Sequence, residues 1–198
     1  GDSIGQTYVI HLNSFYGKTL SLSGDGNTLA VGAPNNDNGN VIVYGSRTWG
    51  MRNIIRRDDT SQFGNSVALN GDGSTIAIAN ASLDTVYIYT YDGAGTWSER
   101  ENIEIIGGDY FGTYVSISPN GNTIAISNSL DEIYLFDYDN SNWNVRGHSF
   151  TGNKFALSND FIIVNNKKYS LDDYSVLGIA DGINNIESIS IGNNKVIF

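Results

Sequence analysis

A motif that returns along this chain constrains its fold more than any other feature, because self-similarity at a spacing of several tens of residues marks stacked or ring-forming repeat architectures. Residues 16–31, 63–78 and 111–126 align without gaps. Each segment opens on an aromatic residue and a glycine (Tyr16-Gly17, Phe63-Gly64, Phe111-Gly112), runs through an alternating stretch to a polar turn, and leaves by a second alternating stretch. Counted from Gly17 to Gly64 to Gly112, the offsets are 47 and 48 residues. Residues 152–158 repeat the third copy at an offset of 40, with the turn shortened to Asn159-Asp160. Residues 189–198 repeat residues 155–164 at an offset of 34.

Within one unit the pattern is that of a four-stranded antiparallel meander. In the second copy, Val67 and Leu69 alternate with small or polar residues, and residues 75–79 follow after Asn70-Gly71-Asp72-Gly73. Residues 86–89 and 97–103 supply the third and fourth strands. Period-two alternation, β-branched and aromatic residues, and Gly/Asn/Asp punctuation all point to sheet, and no apolar 3.6-residue period lasts long enough for a substantial helix. Four strands per repeat of this length predict a β-propeller blade. The fold class expected is all-β, a five-bladed propeller in one domain over residues 1–198. The blades fall near 14–57, 58–106, 107–148 and 149–182, with 183–198 joined by 1–13. Residues 13–22 resemble 148–157, which puts residues 7–12 on an outer strand that would close the last blade and remove a raw sheet edge. A β-trefoil would need three equal repeats, which these spacings do not give.

The unit resembles the FG-GAP repeat, the blade of integrin α-chain propellers and of many surface proteins. The likeness rests on Phe63-Gly64, on residues 22–34 ending in Gly32-Ala33-Pro34, and on Gly39-Asn40-Val41-Ile42-Val43-Tyr44. The second and third copies carry Ala79-Asn80-Ala81 and Ser127-Asn128-Ser129 where the first has Gly-Ala-Pro. The resemblance implies an extracellular or particle-surface propeller; a WD40 repeat fits less well, with Gly147-His148 occurring once and no Trp-Asp pair.

Composition narrows the function. The 11 Lys+Arg against 21 Asp+Glu leave a net charge of −10, which excludes duplex nucleic acid as a natural partner. Apolar runs end after four or five residues, so no membrane-inserting helix is expected. With 0 Cys there is no disulfide framework and no thiolate metal site. His11 and His148 are isolated, and neither a nucleophile elbow nor a phosphate loop is present. In integrin-type blades the first turn carries Ca²⁺ on several carboxylates, but the matching positions here are Ser21, Ser23, Asp25 and Ala68, Asn70, Asp72. One carboxylate per turn is too little charge for a hard cation, so no metal or other cofactor is expected. Trp49, Trp97 and Trp143 recur at the start of outer strands and read as packing contacts between blades, with sugar stacking as the rival.

These exclusions leave a non-enzymatic interaction module for a protein or glycan partner. Its recognition surface is expected where second-to-third-strand loops and blade-joining loops converge. Candidate residues there are Tyr16, Asn35, Asn36, Asp37, Asn80, Asp84, Asp109, Tyr110, Asn128 and Asp131, with Asn35, Asp37 and Asp84 read as solvated turn positions. The alternatives are a small carbohydrate-active hydrolase or lyase working in the central channel, and a structural tile of a virion or cell surface.

Overall fold

Short alternating runs bounded by glycine and amide turns can bury only one thing well, the face of a neighbouring sheet. The computed structural model describes residues 16–35, 39–45, 50–57, 62–104, 109–179, 190–192 and 195–197, and it realises that arrangement. The first sheet comprises β1 (Thr19–Leu22), β2 (Thr28–Ala33), β3 (Asn40–Gly45) and β4 (Gly50–Arg56). The second has β5 (Val67–Leu69), β6 (Thr75–Asn80), β7 (Thr85–Tyr91) and β8 (Trp97–Glu104). The third has β9 (Tyr114–Ile117), β10 (Thr123–Ser127), β11 (Glu132–Tyr138) and β12 (Trp143–Thr151), and the fourth β13 (Phe155–Leu157), β14 (Phe161–Val164), β15 (Lys167–Ser170) and β16 (Val176–Ile179). Each is an antiparallel meander in chain order, and β17 (Ser190–Gly192) pairs with β18 (Lys195–Ile197) in a two-stranded sheet. The helical content of the described residues is one 3-10 turn, Ala81–Leu83. The first strands of successive sheets lie side by side, β1 by β5, β5 by β9, β9 by β13 and β13 by β17. Sheets radiating from a common inner row of strands make a β-propeller.

The large-small alternation of the second strands sets how blades stack. Ile76 and Ile78 of β6 face backward into a core shared with Ala30, Val41, Val43 and Ile55 of the first blade. Ala77 and Ala79 of the same strand face forward, where Phe111, Ile124 and Ile126 of the third blade fill the space. Phe63 and Phe111, the aromatic residues that open two copies of the repeat, are both wholly buried at blade junctions. Phe63 meets Tyr87 edge-on at 5.6 Å, and Phe111 meets Phe136 at 6.0 Å. Burying each such ring contributes about 1.5–3 kcal/mol. At the third junction Phe150, reached from β12, joins the core instead. Trp97 belongs to the first junction and Trp143 packs against the second, so both serve blade packing.

A first strand has a ladder partner on one side only, and its other edge must find acceptors elsewhere. Small hydroxyl residues of the preceding blade provide them. Ser21 Oγ accepts the Leu69 amide at 2.8 Å, Ser66 Oγ the Val115 amide at 3.1 Å, and Ser116 Oγ the Leu157 amide at 3.1 Å.

One expectation is adjusted. The third blade does not end at residue 148: β12 runs to Thr151, and Ser149, Phe150 and Thr151 pair with Tyr134, Ile133 and Glu132 rather than forming a joining loop. A bulge between Tyr134 and Phe136 lets the strand continue in register past that point. The outer strand over residues 7–12, together with His11 and Trp49, lies outside the described residues.

Candidate functional site

The two ends of the propeller are built from the same polar residue types and use them differently. At one end lie the turns between first and second strands. Asp25 Oδ1 accepts from Ser23 Oγ at 2.6 Å and the Asn27 amide at 2.9 Å. Asp72 Oδ1 accepts from Ser74 Oγ at 2.6 Å and the Ser74 amide at 2.9 Å. Asn120 fills the same role in the third turn, accepting from Ser118 Oγ and the Asn122 amide. The serine hydrogen bonds hold both aspartates below the usual carboxylate range. The turns also clasp one another: the Asp25 amide donates to Gly71 O and the Gly71 amide to Pro119 O, both at 2.9 Å, and the Asn120 amide donates to Asn159 Oδ1 at 3.0 Å. A Cβ on Gly71 would meet Pro119 O at 2.8 Å, which explains glycine there. Each carboxylate is thus a turn acceptor, and no three His, Asp or Glu side chains gather for a metal among the described residues.

At the other end lie the loops expected to recognise a partner. The structure sorts the candidate residues into two groups. Asn80 and Asn128 are buried, so the expectation that they face a ligand is corrected. Asn128 Oδ1 accepts the amides of Leu130 and Glu132, both at 3.0 Å, while its Nδ2 donates to Glu132 Oε2 at 2.9 Å. Asn80 Oδ1 accepts from Ser82 Oγ at 2.7 Å. Asp84 is corrected as well. Rather than a solvated turn residue, it is a clasp between blades, its carboxylate accepting the Phe111 amide at 2.8 Å. Tyr16 is half-buried and its hydroxyl bonds that of Tyr44. Asn35 is exposed on the first blade, and Asn36 and Asp37 lie outside the described residues.

The second group projects outward. Asp109, Tyr110 and Asp131 are all exposed, with Tyr110 at 62%. All three hold left-handed backbone, φ 48° at Asp109, 60° at Tyr110 and 61° at Asp131. That region is unfavourable for any side chain and most so for a bulky one. The segment is held in place from both sides: the Phe111 amide reaches Asp84, and the Asp109 carbonyl accepts the Ser129 amide at 2.8 Å. Thr113 Oγ1 donates to the Tyr110 carbonyl at 2.8 Å. These bonds set Tyr110 between the loops that carry Leu83, 48% exposed, and Leu130, 60% exposed.

Sequence reasoning missed both leucines. The signal was present, since Ala81-Ser82-Leu83-Asp84 and Asn128-Ser129-Leu130-Asp131 repeat an aliphatic residue inside an otherwise polar loop. Glu132, which ends the expected loop from Asn128, sits beside this segment and is held below the usual carboxylate range by hydrogen bonds from Tyr134 and Asn128. The Tyr134 hydroxyl is pushed up, first by its bond to Glu132 and further by the nearby charges of Glu132 and Asp109.

The inner strands enclose a cavity of about 320 Å³ walled by residues 20–22, 67–69, 115–117 and 155–157. Its walls are aliphatic, aromatic, alanine or serine, and Ser21 and Ser116 already serve as amide acceptors for the next blade. No acid, base or histidine is among these wall residues.

Fold and site together define a β-propeller whose described turns at one end are linked blade to blade and whose other end displays apolar and acidic loops. No family model and no curated protein sequence matches the chain. Solved structures do: a hydrazine synthase of Kuenenia stuttgartiensis at TM-score 0.62 and 16% identity, over 90% of this chain and 52% of that one. The β-propeller domain of Cps50 (Swd1) from Myceliophteria thermophila matches at TM-score 0.64 and 14% identity, over 89% of this chain and 59% of that one. The chain therefore spans between half and three-fifths of these structures, and at such identity the likeness is one of fold.

Proposed function

We propose that this propeller is a non-enzymatic interaction module that binds a protein partner through its loop end. The observation carrying the reading is Tyr110, an exposed aromatic side chain held in left-handed backbone by hydrogen bonds to loops of two blades. Strain of about 1–3 kcal/mol retained at an exposed residue, where folding gains little from the side chain, suggests selection for contact with something else. The described residues that wall the cavity carry no acid, base or histidine, which supports a role other than catalysis. The same reading takes the β17–β18 sheet as the start of a fifth blade, the count implied by the repeat register.

The test is capture by wild type, Tyr110→Ser and the turn-end control Asp25→Asn from an extract of the source cells, with a glycan array run in parallel. The reading expects a protein set retained by wild type and Asp25→Asn and lost with Tyr110→Ser. Capture indifferent to Tyr110, or hydrolysis of an array sugar, would overturn it.

A further inference from the structure

The loop end of the second and third blades combines three exposed apolar side chains, Leu83, Tyr110 and Leu130, with exposed carboxylates at Asp109, Asp131 and Glu132. Glu104, also exposed, stands opposite Thr85 at the same end of the second blade. The side-chain ion pairs among the described residues, Arg57 with Glu99 and Arg146 with Asp137, involve none of these four acids. The nearby cations stand apart from these acids: Lys18 Nζ donates to Asn65 Oδ1 at 2.6 Å, Lys154 Nζ lies 5.2 Å from the Tyr114 ring, and the exposed Arg56 and Lys167 belong to the first and fourth blades. An apolar centre flanked by acids that enter no side-chain ion pair among the described residues is complementary to a partner surface that sets cations beside apolar groups.

Resting on the interaction reading above, we infer that this patch docks a peptide segment presenting arginine or lysine beside aliphatic side chains. The aliphatic groups would cover Leu83 and Leu130, and the cation would lie against Tyr110 within reach of Asp109 and Asp131, gaining both cation–π and charge-assisted contacts. A sugar fits less well. Its hydroxyls need donors as well as acceptors, and the amides placed to donate, on Asn80 and Asn128, are buried in the loops.

Panning a random twelve-residue phage-displayed peptide library on the full chain, then titrating the synthetic consensus peptide, tests this directly. The expected consensus carries Arg or Lys next to Leu, Ile or Met. Its affinity should fall at least tenfold with Tyr110→Ser and with the pair Asp109→Asn/Asp131→Asn, weaken with added salt, and stay unchanged with Asp25→Asn. Thermal melts of the variants separate lost binding from lost folding. A consensus without basic residues that still depends on Tyr110 would overturn this inference while leaving the interaction module standing. Peptides that bind equally to Tyr110→Ser, or binding confined to glycans, would overturn both.

Discussion

The first-to-second-strand turns and the loops of the opposite end draw on one palette of Asp, Asn, Ser and Gly, yet they meet the same backbone requirement differently. In the first-to-second-strand turns the left-handed positions are glycines, Gly26, Gly73 and Gly121, at φ 71°, 69° and 75°, while the third-to-fourth-strand turns of the same end hold Asn140 and Tyr174 at φ 75° and 58°, with Tyr174 packed on His148 at 4.0 Å. At the loop end Gly17, Gly39, Gly64 and Gly112 share the left-handed region with Asp84, Asp109, Tyr110 and Asp131. Glycine is the low-energy choice wherever only the chain path matters. Keeping a side chain at such a position means that the side chain has a task. Asp84 performs a structural one, clasping the next blade. Tyr110 projects into solvent, and the proposed function gives it a partner to meet.

The sharpest way to break this contrast is to put a side chain where the turn end has excluded one. Gly73→Ala combines a left-handed backbone with a Cβ that would lie 2.6 Å from Thr28 Oγ1 and 2.7 Å from Thr28 Cβ. A loss on the order of 3 kcal/mol is expected, read as a lower midpoint in urea unfolding.

Asp84→Ala comes next. It removes a charged acceptor and leaves the Phe111 amide without its partner, for an expected loss of about 1.5–2 kcal/mol. A melt indistinguishable from wild type would return Asp84 to the solvated-turn role that its sequence context suggests.

The third effect is one of pH. Asp25 and Asp72 have carboxyls held below the ordinary 3.8 by hydrogen bonds in their turns. A depressed folded value means stability fully present above the unfolded pKa and lost as pH falls through the folded one. The pair Asp25→Asn/Asp72→Asn keeps the Oδ1 acceptors, as Asn120 does in the third turn, gives up only the Asn27 Nδ2 bond to Asp25 Oδ2, and removes the titration. Acid unfolding below pH 3.8 should become shallower in this variant, followed by fluorescence of the buried Trp97. An unchanged acid limb would mean that the turn carboxylates are not linked to folding.

Smallest of all should be Tyr110→Ser on stability, a shift within about 0.5 kcal/mol in thermal melting, because an exposed side chain in strained backbone contributes little to the fold. A loss of several kcal/mol would make Tyr110 a structural residue and erase the contrast between the ends.

Much of this architecture was legible in the residues, for a physical reason. The Ile-Ala alternation of β6 and β10, the opening Phe-Gly pair and the Gly-Asp-Gly turns are local patterns that repeat because each blade solves the same packing problem. Which loops share a face was legible too, since strand count fixes it. The roles of individual loop residues were not. Asn80 and Asn128 look like solvated turn amides in sequence, and only tertiary placement reveals that they are buried beneath their loops. Nothing local announces that Asp84 meets an amide 27 residues further along the chain. The exposed Leu83 and Leu130 were overlooked because one aliphatic residue in a polar loop carries no periodic signal.

The central claim is that one end recognises and the other end only holds the ring together. Titrating a synthetic Leu-Arg-Leu peptide into ¹⁵N-labelled protein, and following the ¹H–¹⁵N correlation spectrum, addresses it residue by residue. Saturable shifts are predicted for the amides of residues 81–84, 109–113 and 128–132, with residues 23–27, 70–73 and 118–121 unmoved. Shifts centred on the turn end or on the cavity walls, or no saturable shift at millimolar peptide, would contradict the account.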